Sequence, residues 1–158
     1  MEYAASHGLE VGMVPGISSS LSVPAYQNIP VTKRGSSESF WVITGTTKEH
    51  KLSVDVALAA KSSATVVILM GMSKLSQIVE LFKGEGKADM PIAIFQNGTR
   101  DNEKVGVATI ATIVDVVEKE KLSNPAIIII GEVVKHREAL VEAKNQYSQQ
   151  NSKLSEVE

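Results

Sequence analysis

The stretch Val14-Pro15-Gly16-Ile17-Ser18-Ser19-Ser20 decides how the chain is read. Before it, Leu9, Val11 and Met13 alternate with other residues at the period of a strand. After it, Leu21, Val23, Ala25 and Tyr26 begin a helix. The reading is a strand, a Pro-Gly turn and a hydroxyl-rich helix entry. Ser18 is placed to cap that helix by accepting a backbone N–H bond. Gly16 permits a positive φ or a close approach of the backbone to a ligand. In open α/β sheets, ligands sit beyond the carboxyl ends of strands, at loops of this kind. The same residues also suit a plain strand-to-helix turn that binds nothing.

Upstream, Met1–Leu9 reads as the last turns of a helix closed by Gly8. A domain seldom opens on the tail of a helix, so a preceding segment is expected. Downstream, Asn28-Ile29-Pro30 ends the helix, and residues 31–39, with Lys33 and Arg34, form a polar loop. Phe40–Thr44 is β-branched and aromatic, a strand. Ser53–Ala60 is a short helix with Val54, Ala57 and Leu58 at helical spacing. Thr65–Leu69 and Ala126–Ile130 are apolar without alternation, the pattern of strands covered on both faces. Between them lie an amphipathic helix over 74–83 capped by Ser73, a strand Pro91–Phe95, a turn at Gln96-Asn97-Gly98-Thr99, a strand Lys104–Thr109 and a helix Thr112–Lys119. Val133–Lys144 is a helix with Leu140 and Val141 inward. This order gives an α/β domain over 1–144: a mixed sheet flanked by helices, with an antiparallel pair around Asn97-Gly98. Residues 145–158 are Gln, Asn, Ser, Lys and Glu with few apolar residues, and are expected to form a disordered tail.

Composition bounds the function. The chain has 158 residues, 43% hydrophobic and 22% charged, which suits one domain with a buried core. The net charge of -2 gives no basic footprint for nucleic acid. With no cysteine, disulfides, thiolate catalysis and cysteine-ligated zinc are excluded, in keeping with a cytoplasmic protein. No apolar run is long enough to span a bilayer as a helix. His7, His50 and His136 are scattered without metal-ligand spacing, and no metal is expected. No Gly-x-Ser-x-Gly elbow or Gly-Lys-Ser/Thr loop is present; Gly84-Glu85-Gly86-Lys87 reads as a helix stop.

What recurs is a pattern of strand ends. Val14-Pro15-Gly16, Met70-Gly71 and Asn97-Gly98-Thr99 are small or permissive. A parallel sheet would gather them on one rim, exposing backbone groups to a flat ligand, with Met70 as a polarisable surface. The Lys33-Arg34 loop is the basic pair expected near this rim, where Arg34 can hold a carboxylate through two parallel hydrogen bonds or stand solvated.

These residues resemble a known family. Val14–Ser19, Pro24–Arg34, Val67–Gly71, Asp89–Ala93, Gln96–Arg100 and Pro125–Val134, in that order, are similar to the tetrapyrrole methyltransferases, and among them to the members that methylate uroporphyrinogen III. The resemblance covers about residues 2–140 and matches the C-terminal half of the family. It implies methyl transfer from S-adenosylmethionine to two pyrrole carbons of uroporphyrinogen III, giving precorrin-2 on the way to siroheme or cobalamin. It implies that the cofactor lies in a cleft between two α/β domains. Ser18 and Ser19 match a cofactor-contacting pair, Met70 a methionine lining the cleft and facing substrate, Gly98 a glycine whose backbone approaches the cofactor, and Ala126 a residue near the adenine. Arg34 matches an arginine facing the acidic side chains of the substrate. The family's usual Thr-His-Arg reads Thr32-Lys33-Arg34 here.

The family's N-terminal Gly-Pro-Gly-Asp loop, acid–base residues and Gly-Gly-Asp motif have no counterpart in the chain, so no catalytic residue carries over. Methyl transfer depends on aligning an activated sulfonium with a carbon nucleophile, and a half-cleft is expected to be inactive alone. The resemblance also implies a homodimer. Sibling readings are a precorrin methyltransferase or a ribosomal RNA methyltransferase, the latter disfavoured by the acidic balance. A reading of another class is a non-catalytic dimerisation domain, whose exposed apolar surface would drive self-association.

Overall fold

A computed structural model describes residues 1–143 together with Tyr147. The expected tail at 145–158 lies, apart from Tyr147, outside the described residues. The elements are α1 (Glu2–Ser6), α2 (Ser19–Tyr26), β1 (Phe40–Thr44), α3 (Val54–Lys61), β2 (Thr65–Leu69), α4 (Leu75–Gly84), β3 (Pro91–Gln96), β4 (Lys104–Thr109), α5 (Ile113–Glu120) and β5 (Ala126–Ile130). Short 3-10 turns at Met72–Lys74 and Glu132–Lys135 lead into α4 and into helical residues 136–143.

The strands form one sheet in the order β1-β2-β5-β3-β4. β1 and β2 are parallel, while β5 runs antiparallel to β2 on one side and β3 on the other. β3 and β4 are an antiparallel pair, as the Asn-Gly signal suggested, but residues 97–103 join them rather than a two-residue turn. Because β5 is reversed between them, β2 and β3 point the same way. Their carboxyl ends and the amino end of β5 therefore meet at one rim, with Leu69 opposite Ile127 and Gln96 opposite Ala126.

The central strands separate two cores by simple alternation. Val66, Ile68, Ile92, Ile94, Ile128 and Ile130 face α3, α4 and α5, packing on Val56, Ala59, Ile78, Phe82 and Ile113. Val67, Ala93, Phe95, Ile127 and Ile129 face the other way, onto Val23 of α2, Ile29, Val133 and Val134.

Several expectations need correction. Residues 9–18 form no strand and no turn; they run as an exposed arm, with Met13 75%, Val14 93% and Ile17 90% accessible. Alternation marks a strand only when a partner supplies the ladder, and no described residue does so here. Gly16 is not in a left-handed conformation, and a Cβ there would meet nothing within 4 Å. α3 turns a different face inward: Val54 and Leu58 are exposed, while Val56, Ala59 and Ala60 are buried. Small alanines fit the close approach to α4, and the spacing of the larger residues misled. Ser73 lies inside a 3-10 turn and does not cap α4, whose N-cap Lys74 makes no side-chain cap bond. Leu140 is 44% exposed rather than inward.

Two glycines are dictated by crowding at the rim. A Cβ on Gly45, just after β1, would stand 2.7 Å from the Cα of Gly71, just after β2. A Cβ on Gly71 would stand 2.8 Å from Ile68 Cγ2 and 3.0 Å from Ile128 Cδ1. Gly45 lets the two exit loops come this close, and Gly71 lets its own backbone lie on the isoleucines of β2 and β5.

Candidate functional site

The rim where β2, β3 and β5 meet carries a cleft of about 410 Å³. Its walls come from four places in the chain, three of them being Ser19 and Val23 from α2, Leu69 and Met70 from the end of β2, and Phe95, Asn97, Gly98 and Arg100 from β3 and its loop. Pro125, Ala126 and Ile127, at the start of β5, are the fourth. A second cavity of about 690 Å³ adjoins it across Met70, Pro125 and Ala126, and is lined further by Thr46, Thr47, Lys48, His50, Ser73 and Asn124.

Met70 divides the two. Its side chain is 62% exposed and its φ is 54°, a conformation rare for a residue with a Cβ. The Thr46 hydroxyl donates to the Met70 carbonyl at 2.8 Å and helps to fix that backbone. Asn97 (φ 52°) and Thr99 (φ 69°) are also left-handed, so the loop after β3 is strained on both sides of Gly98. Such strain persists only where surrounding contacts determine it, and it concentrates where backbone meets ligand. Gly98 itself is required by packing: a Cβ would lie 2.7 Å from both methyls of Val23. The glycine thus lets α2 lie against the loop.

At the helix entry, Ser18 is the N-cap of α2; its Oγ accepts from the Ser20 amide at 3.3 Å and lies 2.7 Å from Ser20 Oγ. Ser19, one residue on, lines the cleft. Of the residues singled out from sequence, Ser19, Met70, Gly98 and Ala126 therefore converge on one cavity. Ser18 borders the cleft through the chain and spends its hydroxyl on the cap.

Arg34 does not join them. Its loop closes on itself through a Lys33–Ser37 bridge, and Ser37 Oγ accepts from the Thr65 amide at 2.9 Å, at the first residue of β2. Lys33 Nζ lies 3.0 Å from His136 Nδ1, beyond the far end of β5, and Ser36 Oγ lies 3.1 Å from His136 Nε2. The loop is thus anchored at the rim opposite Met70, contrary to the expectation that it would share that rim. Arg34 is exposed and lines neither cavity.

Sequence reasoning missed Val23, Arg100 and Pro125 as cleft walls and, Met70 and Ala126 apart, the lining of the second cavity. Arg100 lies just beyond the Asn97-Gly98 motif and could have been found from it; Val23 faces the glycine only because of tertiary packing.

The cleft is walled mostly by carbon and by backbone, with Asn97, Ser19 and Arg100 as its polar side chains. Its volume is in the range of small-molecule sites, roughly 300–1,000 Å³. Arg100 is the ionisable residue among those lining it, so this wall offers binding surface and a fork for an anion rather than a proton-transfer group.

A family model for tetrapyrrole (corrin/porphyrin) methylases matches residues 1–114. The chain belongs to that family. The S-adenosyl-L-methionine-dependent uroporphyrinogen III methyltransferase of Methanosarcina barkeri is 40% identical over 147 residues, which is 90% of this chain and 57% of that protein. A siroheme synthase of Hydrogenovibrio crunogenus is 34% identical over 89% of this chain and 30% of its own. A uroporphyrin-III C-methyltransferase of Thermus thermophilus, crystallised with S-adenosylhomocysteine, superposes with a TM-score of 0.70 at 25% identity, covering 85% of this chain and 58% of that one. The chain therefore spans between about a third and just over half of these relatives' length. Among the described residues no helix is long and apolar enough to cross a membrane.

Proposed function

We propose that this chain forms one wall of the S-adenosylmethionine site of a methyltransferase that C-methylates uroporphyrinogen III to precorrin-2, toward siroheme or cobalamin. The observation that carries the reading is the convergence of Ser19, Met70, Gly98 and Ala126 on a single cleft. Met70 and Ala126, with Leu69 and Ile127 behind them, supply a polarisable and apolar surface for a flat ring. The loop at Asn97-Gly98 brings backbone close enough to hydrogen-bond it. The cofactor supplies an activated methyl on a sulfonium. The chain's share of the work is to hold it still and to exclude water from one side. One wall alone does not align the sulfonium with its carbon nucleophile, so the chain by itself is expected to turn over no uroporphyrinogen III. Arg34, at the other rim, belongs to no part of the cofactor wall; an exposed guanidinium there suits a carboxylate of the tetrapyrrole.

Calorimetric titration with S-adenosylhomocysteine tests the assignment. Saturable binding at one site supports it, and an absence of heat up to millimolar ligand, about -4 kcal/mol of binding free energy, removes it.

A second copy of the chain is the partner we propose, in a homodimer. β1 is one of the sheet's two edge strands, and its Phe40, Trp41 and Val42 are 38%, 38% and 47% exposed. An apolar edge of this kind is ordinarily covered. Light scattering that gives the monomer mass at high concentration would count against it.

A further inference from the structure

The strained loop after β3 is tied to α2 by a chain of polar contacts that no local spacing encodes. Arg137 donates from Nε and Nη2 to Gln27 Oε1, each at 3.2 Å. Gln27 Nε2 donates to Glu103 Oε1. Glu103 Oε2 accepts the backbone N–H of Thr99 at 2.7 Å. Gln27 is the C-cap of α2 and only 7% exposed, so its amide has little recourse to water. Thr99 is a β-branched residue at φ 69°, next to Gly98. Two further bonds close the loop locally, Arg100 N–H to Asn97 O and Glu103 N–H to Arg100 O, both at 3.0 Å.

The order of donors and acceptors is fixed. Arg137 can only donate, so Gln27 must present its oxygen to Arg137 and its NH2 to Glu103. Glu103 must then accept twice, once from Gln27 and once from Thr99. A carboxylate is the side chain of that length that does so. We propose that Gln27, Glu103 and Arg137 are positioning residues for the cleft. Their alternating chain holds Thr99 in its strained conformation and so sets the Asn97-Gly98 backbone against the ligand. The inference rests on the cofactor reading only for the identity of the ligand; the positioning of the loop stands apart from it.

The parity of the chain supplies the test. Glu103→Gln keeps the shape but has one acceptor oxygen where two are needed. Gln27→Glu sets two carboxylates face to face. The double variant Gln27→Glu/Glu103→Gln restores every bond, with only the one between positions 27 and 103 reversed: the carboxylate at 27 accepts from Arg137 and from the new amide, whose oxygen takes the Thr99 N–H. In the full chain, amide hydrogen exchange at Thr99 is expected to accelerate roughly tenfold in each single variant and to return in the double variant, with Ile94 and Ile129 unchanged. S-adenosylhomocysteine affinity is expected to follow the same pattern, about tenfold weaker and then recovered. If Glu103→Gln fails to fold, Arg137→Lys, which loses the two-pronged contact, gives the same reading from the other end. Unchanged Thr99 exchange in the single variants, or a folded double variant that recovers neither exchange nor affinity, overturns the proposal. If the native chain binds no S-adenosylhomocysteine yet the exchange pattern holds, the cofactor reading falls and the positioning stands.

Discussion

One face of the sheet is covered by three helices, the other by α2, Ile29 and a 3-10 turn. The first face is closed and apolar throughout, and its side chains are legible as runs and periods because burial is their whole task. The second is thinner and opens at one end into the Met70–Gly98 cleft, where left-handed residues and a polar chain replace simple packing. The same five strands thus present a stabilising surface and the surface we propose for binding, separated by a single residue of alternation. If that division is real, substitutions on the two faces must separate stability from affinity.

The largest expected effect is on the closed face. Phe82 is 2% exposed in the last turn of α4, and Phe82→Ala should cost about 3–5 kcal/mol of unfolding free energy, read from urea midpoints. S-adenosylhomocysteine affinity at a temperature where the variant is still folded should be unchanged. On the open face the converse is expected. Met70→Ala should weaken S-adenosylhomocysteine by about 1.5–3 kcal/mol if the ligand buries that side chain. Stability should shift by no more than about 0.5 kcal/mol, because Met70 is 62% exposed. Arg34→Ala, at the other rim, should leave that affinity alone; a loss equal to that of Met70→Ala would erase the distinction between the rims.

Gly98→Ala sharpens the comparison because it touches both properties. The added methyl presses on Val23, at about 1–3 kcal/mol for overpacking, and tilts the loop that meets the ligand. Combining it with Val23→Ala should recover much of the stability, as thermal unfolding would report.

The smallest effect lies in Lys87, beside the closed face. Its Nζ donates to the Ser62 carbonyl and lies 5.9 Å from the Phe82 ring centroid. Burial lowers its pKa below the ordinary 10.5, with the Glu85 carboxylate pulling the other way. Between the lowered folded value and 10.5 the unfolded chain binds more protons, so this residue's contribution to stability rises with pH across that window. Below the folded value the penalty is present in full. Lys87→Met should flatten that rise in urea midpoints.

Much of the fold was readable because strands buried on both faces announce themselves. Thr65–Leu69 and Ala126–Ile130 need no partner information to be recognised. The cleft was readable to the extent that strand ends carry motifs: Met70 and Gly98 sit where the chain leaves the sheet. What was hidden depends on pairing. The alternation at Leu9–Met13 looks like a strand until a neighbour fails to appear. The direction of β5 is what puts Ala126 on the ligand rim, yet direction leaves no mark in a run of isoleucines. Gln27, Glu103 and Arg137 meet across 76 and 110 residues of sequence, and each alone is an ordinary polar residue.

The Gly45–Gly71 contact constrains how the protein can change over time. A Cβ on Gly45 would press on the Gly71 backbone at 2.7 Å, and one on Gly71 on Ile68 and Ile128, so neither site tolerates a side chain while the loops keep their places. The Gly71 backbone thus limits what Gly45 can become, and the isoleucines beneath limit Gly71. Drift in the loops that carry Thr46 and Met70 must therefore be paired, or must run through insertions that move the loops apart. The two cavities divided by Met70 would then diversify together rather than one at a time.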